Sequence, residues 1–296
     1  MLIQKIKCWL WNQMFQYAYI RALSLRTKSN FVLDISDYET YFRNYDLEIF
    51  NIQKNYATKK DIPRYQRFSK KNKLLRPIKR IIQMICSKIN PNHYEEKNMF
   101  KNPKNKNSII DENFLHIKSW YIEWFFQSEK YFDDYTDIIK KDFEFNKSIS
   151  NENKEIEKLI KETESVSIHI RRWDYLKLNN LYNILDENYY NKWISLLKKE
   201  KWNLKFFIFS DDIERCKEHL NIDNAFYVKW NNWNKAWQDM YLMSCCKHNI
   251  IANSSFSWWW AWLNNNPHKK VIAPKKWFSK EDTYQNDIIP TYWTKI

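Results

Sequence analysis

The sequence predicts an α/β protein of two domains, each built on a largely parallel sheet, with a cleft between them. Three observations lead there. The chain opens on a strand, a helix and a second strand; its second half repeats a strand–helix rhythm from Val166 to Ala273; and its polar clusters stand where strands end. Strands that alternate with helices imply parallel pairing, because each parallel neighbour is reached through a crossover. At 296 residues and 44% apolar content, the chain can bury a core in each of two domains of ordinary size. We place them at 1–150 and 151–296, with the boundary falling between residues 145 and 165.

Leu2 to Lys7 alternates weakly and reads as a strand, Asn12 to Arg26 carries apolar residues at helical spacing, and Asn30 to Leu33 reads as the next strand. This is a βαβ unit, whose loop opens on the ligand side of a sheet. Helical patterns around Tyr131–Lys141 and Glu152–Lys161 lead to Val166, Ile168 and Ile170, which alternate with Ser167 and His169 as in a strand. There follow a helix at Tyr189–Lys199, a strand at Phe206–Phe209, a helix at Asp212–Leu220, a short strand at Phe226–Val228 and a helix at Lys235–Lys247. Asn249–Ala252, Phe256–Leu263 and Lys270–Ala273 complete the series as strand, helix and strand.

The net charge of +14 is concentrated, since the insertion 53–107 holds sixteen Lys or Arg against three acids and the remainder is close to neutral. Within it Leu74, Ile78, Ile81, Ile82, Ile85 and Ile89 recur at helical spacing between basic residues. Such a helix either packs its apolar face on its own domain or rests on anionic lipid headgroups, so peripheral contact with an anionic membrane is one expectation. A basic segment interleaved with aromatics is also a nucleic-acid footprint. That reading is set aside because the charge is confined to one segment without a binding motif; no nucleic-acid partner is expected. The start of the chain lacks a signal-peptide pattern, no apolar run is long enough to span a bilayer, and the five cysteines show no paired spacing. A cytoplasmic protein with reduced thiols is the expectation, associated with the inner membrane at most peripherally.

Composition holds an anomaly. Average usage would supply roughly 20 glycines in a chain of this length, and there are none, whereas tryptophan occurs 16 times. Trp9, Trp11, Trp173, Trp230, Trp233 and Trp260 stand where glycine's positive φ or close backbone approach would be wanted. We expect glycine at these positions in the working protein, displaced by a systematic substitution such as a codon read under another genetic code.

Four polar clusters follow strands, where open α/β sheets bind ligands. His169, Arg171, Arg172, Asp174 and Tyr175 leave one strand, and two adjacent guanidiniums suit a diphosphate. Ser210, Asp211 and Asp212 end a second; their carboxylates would accept from a ribose or base edge, bind a metal, or cap the next helix. Asn253, Ser254, Ser255, Phe256 and Ser257 precede a helix and form an anion site suited to phosphate, of which an ordinary cap explains one serine. Asn12 and Gln13 follow Cys8–Trp11 in the loop before the first helix, a candidate substrate loop. Asp239, on the predicted helix Lys235–Lys247, either contacts a ligand or belongs to a solvated helix face. Asp174 and Glu123 are the carboxylates that could act as a general base, to be decided by geometry.

These motifs resemble the α-1,2-fucosyltransferases of glycosyltransferase family 11. WLWNQMFQYA is similar to their GLGNQMFQYA opening, HIRRWDYL to HIRRGDYL, FIFSDD to their donor-side motif, and the NSSFSWWWAWL run to ANSSFSWWGAWL. At Trp11, Trp173 and Trp260 tryptophan stands where the family has glycine. The resemblance implies two Rossmann-like domains facing a cleft, the fold called GT-B, with the N-terminal domain on the acceptor side. It implies GDP-fucose held by the C-terminal domain, no metal and no cofactor beyond that donor substrate, and inverting transfer to the 2-hydroxyl of a galactose-terminated glycan. Arg171 and Arg172 would stabilise the departing diphosphate. The competing expectation is a catalytically inactive relative that binds a glycan or nucleotide sugar.

Overall fold

The computed structural model describes residues 1–39, 42–62, 93–95, 112–116, 121–171, 183, 185–200, 203–220, 222–229, 231, 235–278 and 287–296. The basic helical pattern between Leu74 and Ile89, and Arg172, Trp173, Asp174, Tyr175, Trp230 and Trp233, lie outside them. The chain divides into two compact units, Met1–Asn146 and Lys147–Ile296.

In the first unit β1 (Leu2–Lys5), α1 (Leu10–Thr27) and β2 (Phe31–Asp34) form the opening βαβ. With β3 (His93–Glu95) and β4 (Tyr121–Glu123) they make a parallel sheet of order β2-β1-β4-β3. Lys5 is in register with Asp34, and Ile3 with Tyr121. Ile3, Ile62 and Tyr121 pack on one face of this sheet, and Val32 adds to them. Residues two apart on a strand share a face, so Lys5, Asp34 and Glu123 continue that face at its carboxyl end. The α2 helix (Thr136–Asp142) ends near α1, where Arg21 Nε donates to Asp142 at 2.8 Å and the Tyr17 hydroxyl donates to the same oxygen at 2.7 Å.

In the second unit the order of elements is α3 (Asn151–Glu162), β5 (Glu164–Ile170), α4 (Glu187–Glu200), β6 (Leu204–Ser210), α5 (Ile213–His219) and β7 (Ala225–Tyr227). It continues with α6 (Ala236–Cys245), β8 (His248–Ile250), α7 (Ser255–Leu263), β9 (Val271–Ala273) and β10 (Thr294–Lys295). The six strands are parallel in the order β7-β6-β5-β8-β9-β10. That is the doubly wound order 3-2-1-4-5-6 counted within the unit, with its switch point between β5 and β8.

The alternation in β5 does not separate core from solvent, because both faces are buried. Val166 and Ile168 pack with Phe206, Ile208, Trp193, Leu197 and Leu220 beneath α4 and α5. On the other face Ser165, Ser167 and His169 are fully buried, and buried polar groups must be hydrogen-bonded. The Lys247 N–H donates to Ser165 Oγ at 3.1 Å, and Asn249 Nδ2 donates to Ser167 Oγ at 2.9 Å. The aromatic helix α7 is buried from Phe256 to Leu263 and is anchored where Trp258 Nε1 donates to the Ile288 carbonyl at 2.7 Å.

Among the described residues positive φ falls on Cys8, Lys28, Phe126, Asn203 and Asn224. Trp9 is extended at φ −74°, while Trp11 and Trp260 lie within α1 and α7. At these three positions positive φ is therefore not the reason for glycine, and close approach is the physical argument that stands. Trp9 and Trp11 stack with centroids 5.1 Å apart, and the Arg43 guanidinium lies 3.2 Å from the centre of the Trp9 ring. Trp260 buries its indole N–H without a hydrogen-bond partner.

Candidate active site

The carboxyl ends of β5 and β8 meet at the switch point of the second unit. His169, last but one in β5, is fully buried, and its Nδ1 lies 2.6 Å from Ser257 Oγ in the first turn of α7. Burial, and secondarily the Arg171 charge, lower the His169 pKa to about 3, so the ring is neutral and orients the serine. Ser254 occupies the N-cap position of α7, yet its side chain makes no capping hydrogen bond. Asn253 Nδ2 fixes the preceding loop by donating to the carbonyls of Asn183 and Trp277, each at 2.8 Å. Ser255 is part-buried and Phe256 buried, and the Phe256 ring lies 5.3 Å from the His169 ring. A helix start carrying hydroxyls and positive dipole is an anion-binding edge.

One strand over, Arg171 leans toward β6. Its Nε stands 3.7 Å from Asp211 Oδ2, with side chains only 6% and 10% exposed. Arg171, expected on a diphosphate, and Asp211, expected on a ribose or base edge, a metal or a helix cap, are thus placed as a pair. Asp212 is the cap of α5, accepting from the Arg215 N–H at 3.4 Å, while its own N–H donates to Ser210 Oγ at 2.9 Å. Between the ends of β5 and β6 lies a cavity of about 290 Å³, lined by Ile170, Asp186, Tyr190, Ser210, Asp212 and Arg215 among others.

Asp239 is not on a solvated helix face. It is 1% exposed, and it accepts from Asn231 Nδ2 at 2.6 Å and from the Asn231 N–H at 3.3 Å. Asn153 Nδ2 bridges Asn231 Oδ1 and Gln238 Oε1, each at 2.9 Å, so Asp239 belongs to a buried network tying α3, α6 and the loop after β7. Burial pushes its carboxyl up to about 7 against those two Asn231 bonds.

In the first unit Gln13 is fully buried and its amide is occupied by backbone. Nε2 donates to the carbonyls of Cys8 and Asn44 at 2.9 and 3.0 Å, and Oε1 accepts from the Asp46 N–H at 2.9 Å. It braces two loops. Asn12 Oδ1 accepts from Gln127 Nε2 at 2.8 Å. Glu123 closes β4 at 8% exposure and pairs with Lys7 Nζ at 3.3 Å and Lys5 Nζ at 3.9 Å. Lys5 also pairs with Asp37 at 2.9 Å. Burial alone would lower the Lys5 pKa, but attraction to Glu123 and Asp37 outweighs it and the net direction is upward. Sequence reasoning did not single out Lys5 and Lys7; the signal was two cations at the end of the LIQKIK segment.

Among the described residues no group of three or more His, Cys, Asp or Glu is placed to hold a metal ion, and no helix is long and apolar enough to cross a membrane. Two parallel-sheet units, the second doubly wound with a hydroxyl-bearing helix start at its switch point, define the chain as an α/β protein of the doubly wound type. The model of glycosyl transferase family 11 matches residues 2–296, and the chain belongs to that family. It is 34% identical to an alpha-1,2-colitosyltransferase of Escherichia coli over 97% of this chain and 96% of that protein. It is 31% identical to the O-antigen biosynthesis glycosyltransferase WbnK of Escherichia coli, over 91% and 92% of the two chains. Among solved structures, a mutant of Arabidopsis thaliana FUT1 in complex with GDP matches with a TM-score of 0.52 at 13% identity, covering 95% of this chain and 71% of that one. The likeness shows the GT-B type of fold.

Proposed function

We propose that this glycosyltransferase moves L-fucose from GDP-β-L-fucose to the 2-hydroxyl of a terminal galactoside in a surface glycan or oligosaccharide, with inversion at the fucose anomeric carbon. The observation that carries the reading is the switch-point edge, where the His169–Ser257 contact joins the end of β5 to the start of α7 and leaves the Ser254 hydroxyl outside any cap bond. The diphosphate sits there, on Ser254, Ser255 and Ser257. Arg171, oriented by Asp211, and Arg172 neutralise the charge that develops on the departing diphosphate. The nucleoside occupies the cavity beside Ser210 and Asp212. Preorganised charge of this kind is worth most in a water-poor site, on the order of 2.7 to 4 kcal/mol for each donor. The first unit takes the acceptor, and Glu123 or Asp174 takes its proton.

Turnover of GDP-fucose with lactose as acceptor tests this. We expect the chain with glycine at positions 9, 11, 173, 230, 233 and 260 to transfer fucose, and the chain with tryptophan there to show little or no turnover, because the stacked rings of Trp9 and Trp11 fill the loop that would admit substrate. Absence of turnover from both would end the reading. A second reading, favoured by the 34% identical relative named a colitosyltransferase, is transfer of a colitosyl group by the same site. Competition between GDP-fucose and GDP-colitose separates the two.

A further inference from the structure

The cavity between the ends of β5 and β6 holds about 290 Å³, at the lower end of the roughly 300–1,000 Å³ of small-ligand pockets, so it has room for a nucleobase-sized group and not for a whole nucleotide sugar. Ile170, Leu185 and Leu220 give it apolar walls, and three carboxylates line it as well. Two of these are already engaged. At the start of α4, Asp186 Oδ1 accepts from the Tyr189 N–H at 3.0 Å and Oδ2 from Asn188 Nδ2 at 3.2 Å, while Asp212 caps α5. The third is Glu187. Its Oε1 accepts from Arg215 Nη2 at 3.4 Å and lies 3.6 Å from His219 Nδ1, and neither contact uses Oε2.

Arg215 is the reciprocal case. Its Nε is out of solvent with no hydrogen-bond partner, and its Nη2 bond to Glu187 is longer than the usual span of about 2.7–3.2 Å, hence weak. An unanswered donor, a loosely held donor and a half-used carboxylate therefore stand next to one another on the cavity lining. A ligand that supplies an acceptor beside a donor gains most there, because an unpaired buried donor is costly to leave. The order of those groups decides which base fits. Guanine carries an acceptor, O6, next to two donors, N1–H and the 2-amino group, whereas adenine carries a donor at position 6 and an acceptor at N1. Donors on Arg215 beside an acceptor on Glu187 match the first series and oppose the second.

We infer that Arg215 and Glu187 set the base specificity of this cavity: Arg215 donates to guanine O6, and the Glu187 carboxylate accepts from N1–H and the 2-amino group. The inference rests on the seating of the nucleoside proposed above and adds the two residues that read its base. Both side chains come from the first turns of helices, Glu187 from α4 and Arg215 from α5, and Asp186 and Asp212 fix those turns by bonding to their N–H groups. A charged carboxylate accepts such bonds more strongly than a neutral oxygen. Adenine would set its N1 lone pair against the same carboxylate, and that repulsion rejects it.

Calorimetric titration of GDP, IDP and ADP into the full chain tests this, since IDP differs from GDP only in lacking the 2-amino group. The parent chain is expected to bind GDP about tenfold tighter than IDP and at least about 100-fold tighter than ADP. Glu187→Ala is expected to weaken GDP about 100-fold and to abolish the preference over IDP, whereas Arg215→Met weakens GDP and IDP alike by about tenfold, because both carry O6. A merely structural role would weaken all three nucleotides together and keep their ratios. The Arg215 and Glu187 side chains are 37% and 44% exposed, so both variants are expected to fold; should Glu187→Ala not fold, Arg215→Met decides alone. A GDP-over-IDP ratio that Glu187→Ala leaves within about twofold of the parent's, or parental GDP affinity in Arg215→Met, overturns the inference and leaves a GDP site whose base is read elsewhere. A parent chain that binds none of the three removes the seating of the nucleoside, and this inference with it.

Discussion

The two sheets end alike and are furnished differently. In the first unit the carboxyl ends of β1, β2 and β4 carry Lys5, Asp34 and Glu123, a charged cluster with a carboxylate oxygen unpaired. In the second, the ends of β5 and β8 carry a neutral histidine, amides and hydroxyls at a helix start, with the Arg171–Asp211 pair alongside. Parallel strands deliver side chains to one edge in both cases, so the fold explains where each site lies and not what it takes. A helix start and guanidiniums favour an anion, whereas the first unit's cluster is net acidic and does not.

The comparison breaks most readily at the diphosphate. Arg172→Ala is expected to lower kcat at least ~100-fold with little change in lactose KM, since the charge it answers develops on the leaving group. Steady-state kinetics in both substrates check it, and near-normal kcat with a raised lactose KM would move Arg172 to the acceptor side.

A sharper contrast concerns pH. The Asp239 carboxyl is raised from its ordinary 3.8 to about 7, so between those values the folded chain holds a proton that the unfolded chain has released. Stability from this group is fully present below the unfolded pKa and is lost as pH rises through the folded one. The second unit should therefore weaken, by something of the order of kcal/mol, from about pH 4 to about pH 7 relative to Asp239→Asn. Denaturant melts of the two proteins across that range measure it, and parallel curves would mean that Asp239 titrates normally. The smallest effect is at the surface. Lys198 and Asp223 pair at 3.0 Å with side chains 40% and 87% exposed, and Lys198→Ala should shift stability by less than about 1 kcal/mol in the same melts.

Much of this was legible in the residues. The apolar spacing of Asn12–Arg26 anticipated α1, and the strand–helix rhythm anticipated the second unit's succession to within a few residues. The short strands β3, β4 and β10 escaped because two or three residues carry no period. Side-chain roles were harder, since they depend on partners distant in sequence. Gln13 looked like a substrate contact until Asn44 and Asp46 took its amide, and Asp239 looked like a ligand or a solvated residue until Asn231 covered it. His169 and Ser257 were each singled out, but their contact spans 88 residues and only folding reveals it. Ser254 held the reverse lesson, because a serine before a helix reads as a cap and here its hydroxyl makes no cap bond.

The most direct measurement is the position of the diphosphate in a crystal structure of the full chain with GDP. The account predicts phosphate oxygens within about 3 Å of donors at Ser254, Ser255 or Ser257, on the second unit's switch point. A diphosphate seated on the Lys5–Glu123 cluster, or away from the start of α7, would contradict it.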